Sequence, residues 1–229
     1  MILPGEAEAQ DWLRDTLGAD DAAMDRLGHL AQLLAAENER QNLVARATLP
    51  HVWQRHILDS AQLLAVPRET VPDGSWIDLG TGAGFPGLAI AALQPWRRIT
   101  LVDSRRLRTD WLARAAAELG LANVTVTLAR VEDLPDQVHS VISARAFAPL
   151  DKLLALSARF STPDTLWLLP KGAKARHELE VLPAEWQHVF HVEQSLTDPD
   201  AGVITGRLTG RPATARAGAN VRKGKGQRR

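Results

Sequence analysis

A chain of 229 residues, 45% hydrophobic and 24% charged, can bury one good core with an appended segment, so one main domain is the default. It contains no cysteine, which excludes disulfides, thiolate metal sites and a cysteine nucleophile. Its formal net charge is zero, yet residues 207–229 carry eight Lys or Arg and no acid. That leaves the remainder acidic.

The first residues, Met1 to Glu6, lack the basic start and apolar core of a signal peptide, and no apolar run approaches the ~18 residues of a membrane span. A cytoplasmic protein is expected. Residues 6–66 read as helical throughout, with Leu27, Leu30, Ala31, Leu34 and Ala35 on one amphipathic face. The first 26 residues hold seven acids against two arginines, a pattern usual for a solvated face. Between Pro67 and Gly74 the composition turns loop-like. We therefore divide the chain into a helical extension at 1–70, a main domain at 71–208 and a basic tail at 209–229. The tail, with Arg211, Arg216, Arg222 and Lys223 among its cations, either pairs with phosphates or simply aids solubility.

Residues 75–79 predict a strand ending in Asp78 and breaking into Gly80-Thr81-Gly82-Ala83-Gly84-Phe85-Pro86-Gly87. Glycines here allow backbone torsions closed to other residues and let a ligand approach the main chain. Pro86 suits the first position of a helix over 86–94. Gly82 to Gly87 also satisfy the dinucleotide fingerprint, which alone is a weak signal. The acid at Asp78 favours S-adenosylmethionine instead, whose sulfonium and ammonium welcome a carboxylate. Asp78, Gly80, Gly82, Gly84 and Phe85 are thus cofactor-site candidates.

Residues 99–103 form a second strand ending in Asp103, 23 residues beyond Gly80 and close to the ~20 expected of a ribose-binding carboxylate. Asp103 could equally cap the next helix, and Ser104 offers a second cap. The helix at 105–119 carries Leu107, Trp111, Leu112, Ala115, Ala116 and Leu119 as its apolar stripe. After a third strand at 124–128 come Arg130, Val131 and Glu132. Glu132 or the Val131 main chain could meet an adenine amino group, or Glu132 could merely open a helical turn. Arg130 suggests an anionic partner.

A fourth strand at 140–144 leads into Arg145-Ala146-Phe147-Ala148-Pro149, then a helix at 149–157. Ligand crevices in open α/β sheets lie beyond the carboxyl ends of the strands, which makes this the expected catalytic edge. The Asn/Asp-Pro-Pro-aromatic motif of exocyclic-amine methyltransferases is missing, and tyrosine is absent altogether. Both point to an acceptor atom with no proton to lose. Arg145 can hydrogen-bond a base carbonyl or phosphate, and Phe147 can stack on an extruded base or join the core. A fifth strand at 165–169 ends near Lys171, which either meets an RNA phosphate or is solvated. A helix at 174–182 and strands near 186–193 and 202–208 complete an alternation that means a largely parallel, doubly covered sheet. The seven-stranded order with one antiparallel strand matches the Rossmann-like sheet of S-adenosylmethionine-dependent methyltransferases. No histidine spacing suggests a metal site: His188 and His191 would point to opposite faces of a strand.

Taken together, Asn42-Leu43-Val44-Ala45, Arg55-His56-Ile57-Leu58-Asp59-Ser60, Asp78 to Gly87, Arg130-Val131-Glu132, Ser143 to Ala148 and Leu169-x-Lys171-Gly172 make the chain resemble the ribosomal RNA small subunit methyltransferase G family. The resemblance covers about residues 20–208. It implies methyl transfer from S-adenosylmethionine to N7 of one guanine in 16S rRNA, with the rRNA or the small ribosomal subunit as partner; a monomer is expected. It further implies cofactor contacts at Gly80, Phe85, Val131, Glu132 and Arg145, with Arg130 and Arg145 near the reacting centre. A small-molecule methyltransferase, a dinucleotide-binding dehydrogenase and a non-catalytic ribosome-assembly factor are the competing readings.

Overall fold

The computed structural model describes residues 2, 3, 5–65 and 70–208; the basic tail at 209–229 lies outside them. Helix α1 (Glu6–Leu17) is followed by α2 (Asp21–Asn38), whose first turn is capped by the Asp20 carboxylate accepting from the Ala23 amide at 2.7 Å. The predicted continuous helix is interrupted at 18–20 and again at 39–45, where the Asn38 Oδ1 accepts from the amides of Leu43 and Val44 and closes a loop. That bond explains why an asparagine ends α2. From 46 to 64 the chain winds through tight and wide helical turns, including the three-residue α3 (Asp59–Ala61). Glu6 reaches across from α1 to accept from the amides of Trp53 and Gln54, satisfying donors at the start of those turns.

Seven strands follow: β1 (Trp76–Leu79), β2 (Ile99–Asp103), β3 (Val124–Leu128), β4 (Val141–Ser143), β5 (Leu166–Lys171), β6 (Phe190–Gln194) and β7 (Gly202–Gly206). They lie in the order β3-β2-β1-β4-β5-β7-β6. The pairs among the first five are parallel, whereas β7 runs antiparallel to both β5 and β6. Between them lie α4 (Gly87–Leu93), α5 (Arg106–Glu118), α6 (Leu150–Ser157), α7 (Ala175–Glu180) and α8 (Ala184–Gln187). This is the Rossmann-like sheet that the alternation predicts.

Alternate residues of each strand serve opposite faces. On one face, Trp76, Leu101, Leu166 and Leu168 pack with α4 and α5 and with Leu27, Leu30, Leu34, Ile57 and Leu58 of the helical segment. On the other, Ile77, Ile142, Trp167 and Leu169 meet Leu150, Leu153 and Leu154 of α6. The N-terminal helices therefore share a core with the sheet, each buried leucine contributing about 1.5–3 kcal/mol. Ala35 is exposed, unlike the rest of its predicted stripe.

Three local expectations are corrected. Leu107 is 71% exposed rather than part of the α5 stripe, which begins at Trp111. Ser104 does not cap α5; Asp103 instead takes the Arg105 amide on Oδ1 at 2.9 Å. The segment before β6 is the short helix α8, launched after Pro183, so His188 is not on a strand with His191. The described residues include no helix long and apolar enough to cross a membrane.

Candidate active site

Asp78 is the next-to-last residue of β1 and is fully buried. Its Oδ2 accepts from the Gly87 amide at 3.1 Å and its Oδ1 from the Ser143 hydroxyl at 2.8 Å. The Ser143 oxygen in turn accepts from Nε1 of Trp76 at 2.8 Å. Burial pushes the Asp78 carboxyl upward, opposed by these donors. The structure thus puts Asp78 behind the glycine turn, fastening β1, β4 and the start of α4, and not in the open crevice. Gly87 begins α4 with Pro86 just outside it, and a Cβ on Gly87 would stand 2.1 Å from Leu101.

The turn itself is shaped by Gly80 (φ 66°), Gly82 (φ 60°) and Gly84 (φ 102°), left-handed conformations that favour glycine. Asp103, also buried, accepts from the Gly82 amide on Oδ2 at 3.1 Å, so the tip of β2 fixes the loop above β1. Arg108 stands 3.8 Å from the same oxygen.

A cavity of about 630 Å³ opens beside these residues, lined by Gly80, Asp103, Ser104, Arg130, Val131 and Glu132 among others. Arg130 and Glu132 form an exposed ion pair at 3.2 Å on its rim. The Glu132 carboxyl is held below its usual range, first by its own amide and then by Arg130. Val131 is buried, its carbonyl accepting from Arg159.

A second cavity, of about 730 Å³, lies across the loop after β4. Ala146, Phe147 and Ala148 line both. Ala146 has φ 52°, a left-handed conformation unusual for a residue with a Cβ. Arg145 lines the second cavity, paired with Asp59 at 3.1 Å, its guanidinium 5.4 Å from the Phe85 ring centroid. Arg145 and Arg130 are thus not brought together; they line different cavities. Phe85 is buried and lines neither, supporting Arg145 on one side and the His56 ring, 5.4 Å away, on another.

Lys171 lines the second cavity and is not the solvated lysine of one expectation. Its side chain is 8% exposed, and its ammonium donates to the Ala148 carbonyl at 2.9 Å and to Glu178 at 2.8 Å. Glu178 also accepts from the Leu150 amide. The lysine therefore ties the loop after β4 to α6 and α7. Phe147 is half-buried, its ring against Gly80.

Sequence reasoning gave no role to the helical segment in this cavity, yet Arg55, His56 and Asp59 all line it, joined by Thr197 and Asp198 from the β6–β7 connection. Asp59 Oδ1 accepts from Thr197 at 2.9 Å and from Gln62 at 3.0 Å. Asp198 pairs with Arg55 at 3.3 Å. His56 Nε2 lies 2.8 Å from the Thr48 hydroxyl, whose proton goes to the Ala45 carbonyl, which assigns the Nε2–H tautomer. Burial, then Arg145 and Arg55, lower its pKa to about 3, so the ring is neutral. The signal was the Arg55 to Ser60 run itself, which places polar residues on helical turns otherwise filled by Ile57 and Leu58.

A family model described as rRNA small subunit methyltransferase G matches residues 23–201. A ribosomal RNA small subunit methyltransferase G from Novosphingobium aromaticivorans is 72% identical over 208 residues, covering 91% of this chain and 90% of its own length. One of the same name from Erythrobacter litoralis is 54% identical over 189 residues, covering 82% and 90%. Among solved structures, a putative methyltransferase from Escherichia coli aligns with TM-score 0.50 at 15% identity, over 66% of this chain and 87% of that one. The last similarity concerns the fold alone. With its motifs gathered around two adjoining cavities and most of its length matched, the chain belongs to the rRNA small subunit methyltransferase G family.

Proposed function

We propose that this protein transfers a methyl group from S-adenosylmethionine to N7 of one guanine in 16S rRNA. The observation that carries the reading is the pair of cavities at the carboxyl edge of the sheet, which share Ala146, Phe147 and Ala148 as lining residues. Both volumes fall in the ~300–1,000 Å³ range of small-ligand sites. One holds the donor and the other receives the base. Relatives named as rRNA methyltransferases support the substrate class.

The residues present fit the donor. Asp103 uses one lone pair on each oxygen for Gly82 and Arg105, and a carboxylate has about four acceptor sites in all. Two are left for ribose hydroxyls. Val131 and Glu132 flank the same cavity on the adenine side, and Gly80, which alone of the turn glycines lines it, admits the amino-acid portion while Gly82 and Gly84 shape the turn behind. S-adenosylmethionine, when bound, supplies an electrophilic methyl on a sulfonium. Asp78 acts by holding the turn, and Asp103 and Glu132 supply the polar contacts.

Guanine N7 has a free lone pair and no hydrogen, so the chain needs to provide neither a general base nor a nucleophile. Its task is positioning, which can contribute ~7–11 kcal/mol. Arg145 holds the base from the larger cavity and Phe147 offers a ring beside it. Because N7 lies in a deep, narrow groove of A-form RNA, the target is in a loop or is extruded. In this reading residues 1–70 form a helical extension that walls the acceptor cavity, residues 71–208 hold the donor, and the protein works as a cytoplasmic monomer on the small subunit or its rRNA.

The test is transfer of labelled methyl from S-adenosylmethionine to small subunits lacking the modification, followed by cleavage at N7-methylguanine. One labelled guanine in 16S rRNA is expected. Label in another base, or none in RNA, would contradict the reading.

A further inference from the structure

The Asp59–Arg145 pair does more than fix an arginine. Among the described residues three donors reach the Asp59 carboxylate: Thr197 Oγ1 and Gln62 Nε2 both go to Oδ1, and Arg145 Nη1 goes to Oδ2. With two lone pairs on each oxygen, Oδ1 is filled and Oδ2 retains one. Arg145 gives Asp59 one N–H of its five. Both side chains are about one-fifth exposed and line the 730 Å³ cavity. The cavity wall therefore presents a donor beside an acceptor, held in fixed order by Thr197 and Gln62.

Purines carry the matching information. Going round the ring from N7, guanine shows O6, an acceptor, and then N1–H, a donor. Adenine shows N6–H₂, a donor, and then N1, an acceptor. A wall that offers a donor and then an acceptor pairs with guanine in that order and opposes adenine with like groups on both atoms. The geometry points to Asp59 as a base-selecting residue: its Oδ2 accepts from N1–H of the target guanine while Arg145 donates to O6, leaving N7 turned toward the neighbouring cavity. The inference rests on the guanine-N7 reading above. It assigns the selectivity to a carboxylate from the helical segment, outside the cofactor fold. His56, neutral and against Phe85, adds no competing charge to this wall.

The test uses the full-length protein and small subunits reconstituted with guanine, inosine or 1-methylguanine at the target position, comparing kcat/KM. Inosine keeps O6 and N1–H and loses the 2-amino group, whereas 1-methylguanine loses the N1–H. The wild-type protein should prefer guanine over 1-methylguanine by roughly 10- to 100-fold, with inosine close to guanine. Asp59→Asn, nearly isosteric, should shrink that preference at least about fivefold, because the amide can turn its NH₂ toward the base. A preference due only to the bulk of the extra methyl would survive the substitution unchanged, and that result overturns the inference. Should Asp59→Asn fail to fold, the wild-type comparison decides: equal transfer to guanine and 1-methylguanine refutes the role of Asp59 while leaving guanine-N7 transfer intact. Absence of transfer to guanine N7 by the wild type removes the underlying reading and this inference with it.

Discussion

The ring of Phe147 lies against Gly80, so that a Cβ at position 80 would stand 2.3 Å from its Cδ2. The loop that separates the two cavities is therefore seated on the first glycine of the turn. Gly80 is also left-handed at φ 66°, a conformation costing a residue with a Cβ roughly 1–2 kcal/mol. Gly80→Ala should weaken S-adenosylmethionine binding by about tenfold or more and displace Phe147. Calorimetric titration would measure the first, and unchanged affinity would refute the close fit.

Arg145 and Asp103 face different cavities, which predicts separable defects. Arg145→Ala should lower methyl transfer by at least about a hundredfold with cofactor affinity nearly unchanged, consistent with the loss of a charge-assisted contact to the base. Asp103→Ala should do the reverse, weakening cofactor binding first. Titration and single-turnover transfer on both variants would reveal whether the split exists.

Lys171 reads as a fastener. Lys171→Met keeps the stem but leaves Ala148 O and Glu178 without their partner, so the loop after β4 loosens. Turnover should fall several-fold while the salt dependence of RNA binding stays as in the wild type. A slope reduced by about one would instead mean that the lysine neutralises a phosphate.

Ser143 is the link between two buried polar groups, Trp76 Nε1 and Asp78 Oδ1. Ser143→Ala removes a partner from each, and buried unsatisfied groups cost about 1–3 kcal/mol apiece. A loss of about 2–6 kcal/mol in urea unfolding is expected. A change under 0.5 kcal/mol would show that the relay carries no stability.

His56 gives a pH signature. Its folded pKa, lowered to about 3 from 6.5, means that the unfolded chain binds the proton more readily. The stabilisation is present above pH 6.5 and is lost as pH falls toward 3. Between pH 7 and 5 the loss is about 2 kcal/mol. Asp78, raised by burial above 3.8, slopes the other way from pH 3.8 upward, so the informative quantity is the difference between wild type and His56→Gln. That difference should shrink as the solution is acidified; a difference independent of pH would contradict the neutral buried ring.

Much of this was readable in the residues. Seven strands, their order of appearance and the two acids at the tips of β1 and β2 follow from short apolar runs, glycines and spacing. What Asp78 does was not readable, because a carboxylate after an apolar strand looks the same whether it faces a ligand or, as here, the amide of Gly87 and the hydroxyl of Ser143. The contacts of Lys171 were hidden for a similar reason: its partner Glu178 lies on α7 and its second acceptor is a main-chain carbonyl. Asp59 and Thr197 are separated by 138 residues, so their meeting at Arg145 depends on tertiary packing that periodicity does not encode.

N7-methylguanine mapped in small-subunit rRNA from cells with and without this protein decides whether guanine-N7 transfer is its activity. One guanine should be methylated when the protein is present, unmethylated when its gene is deleted, and restored by wild type but not by Arg145→Ala. An identical methylation map in both cell lines would contradict it.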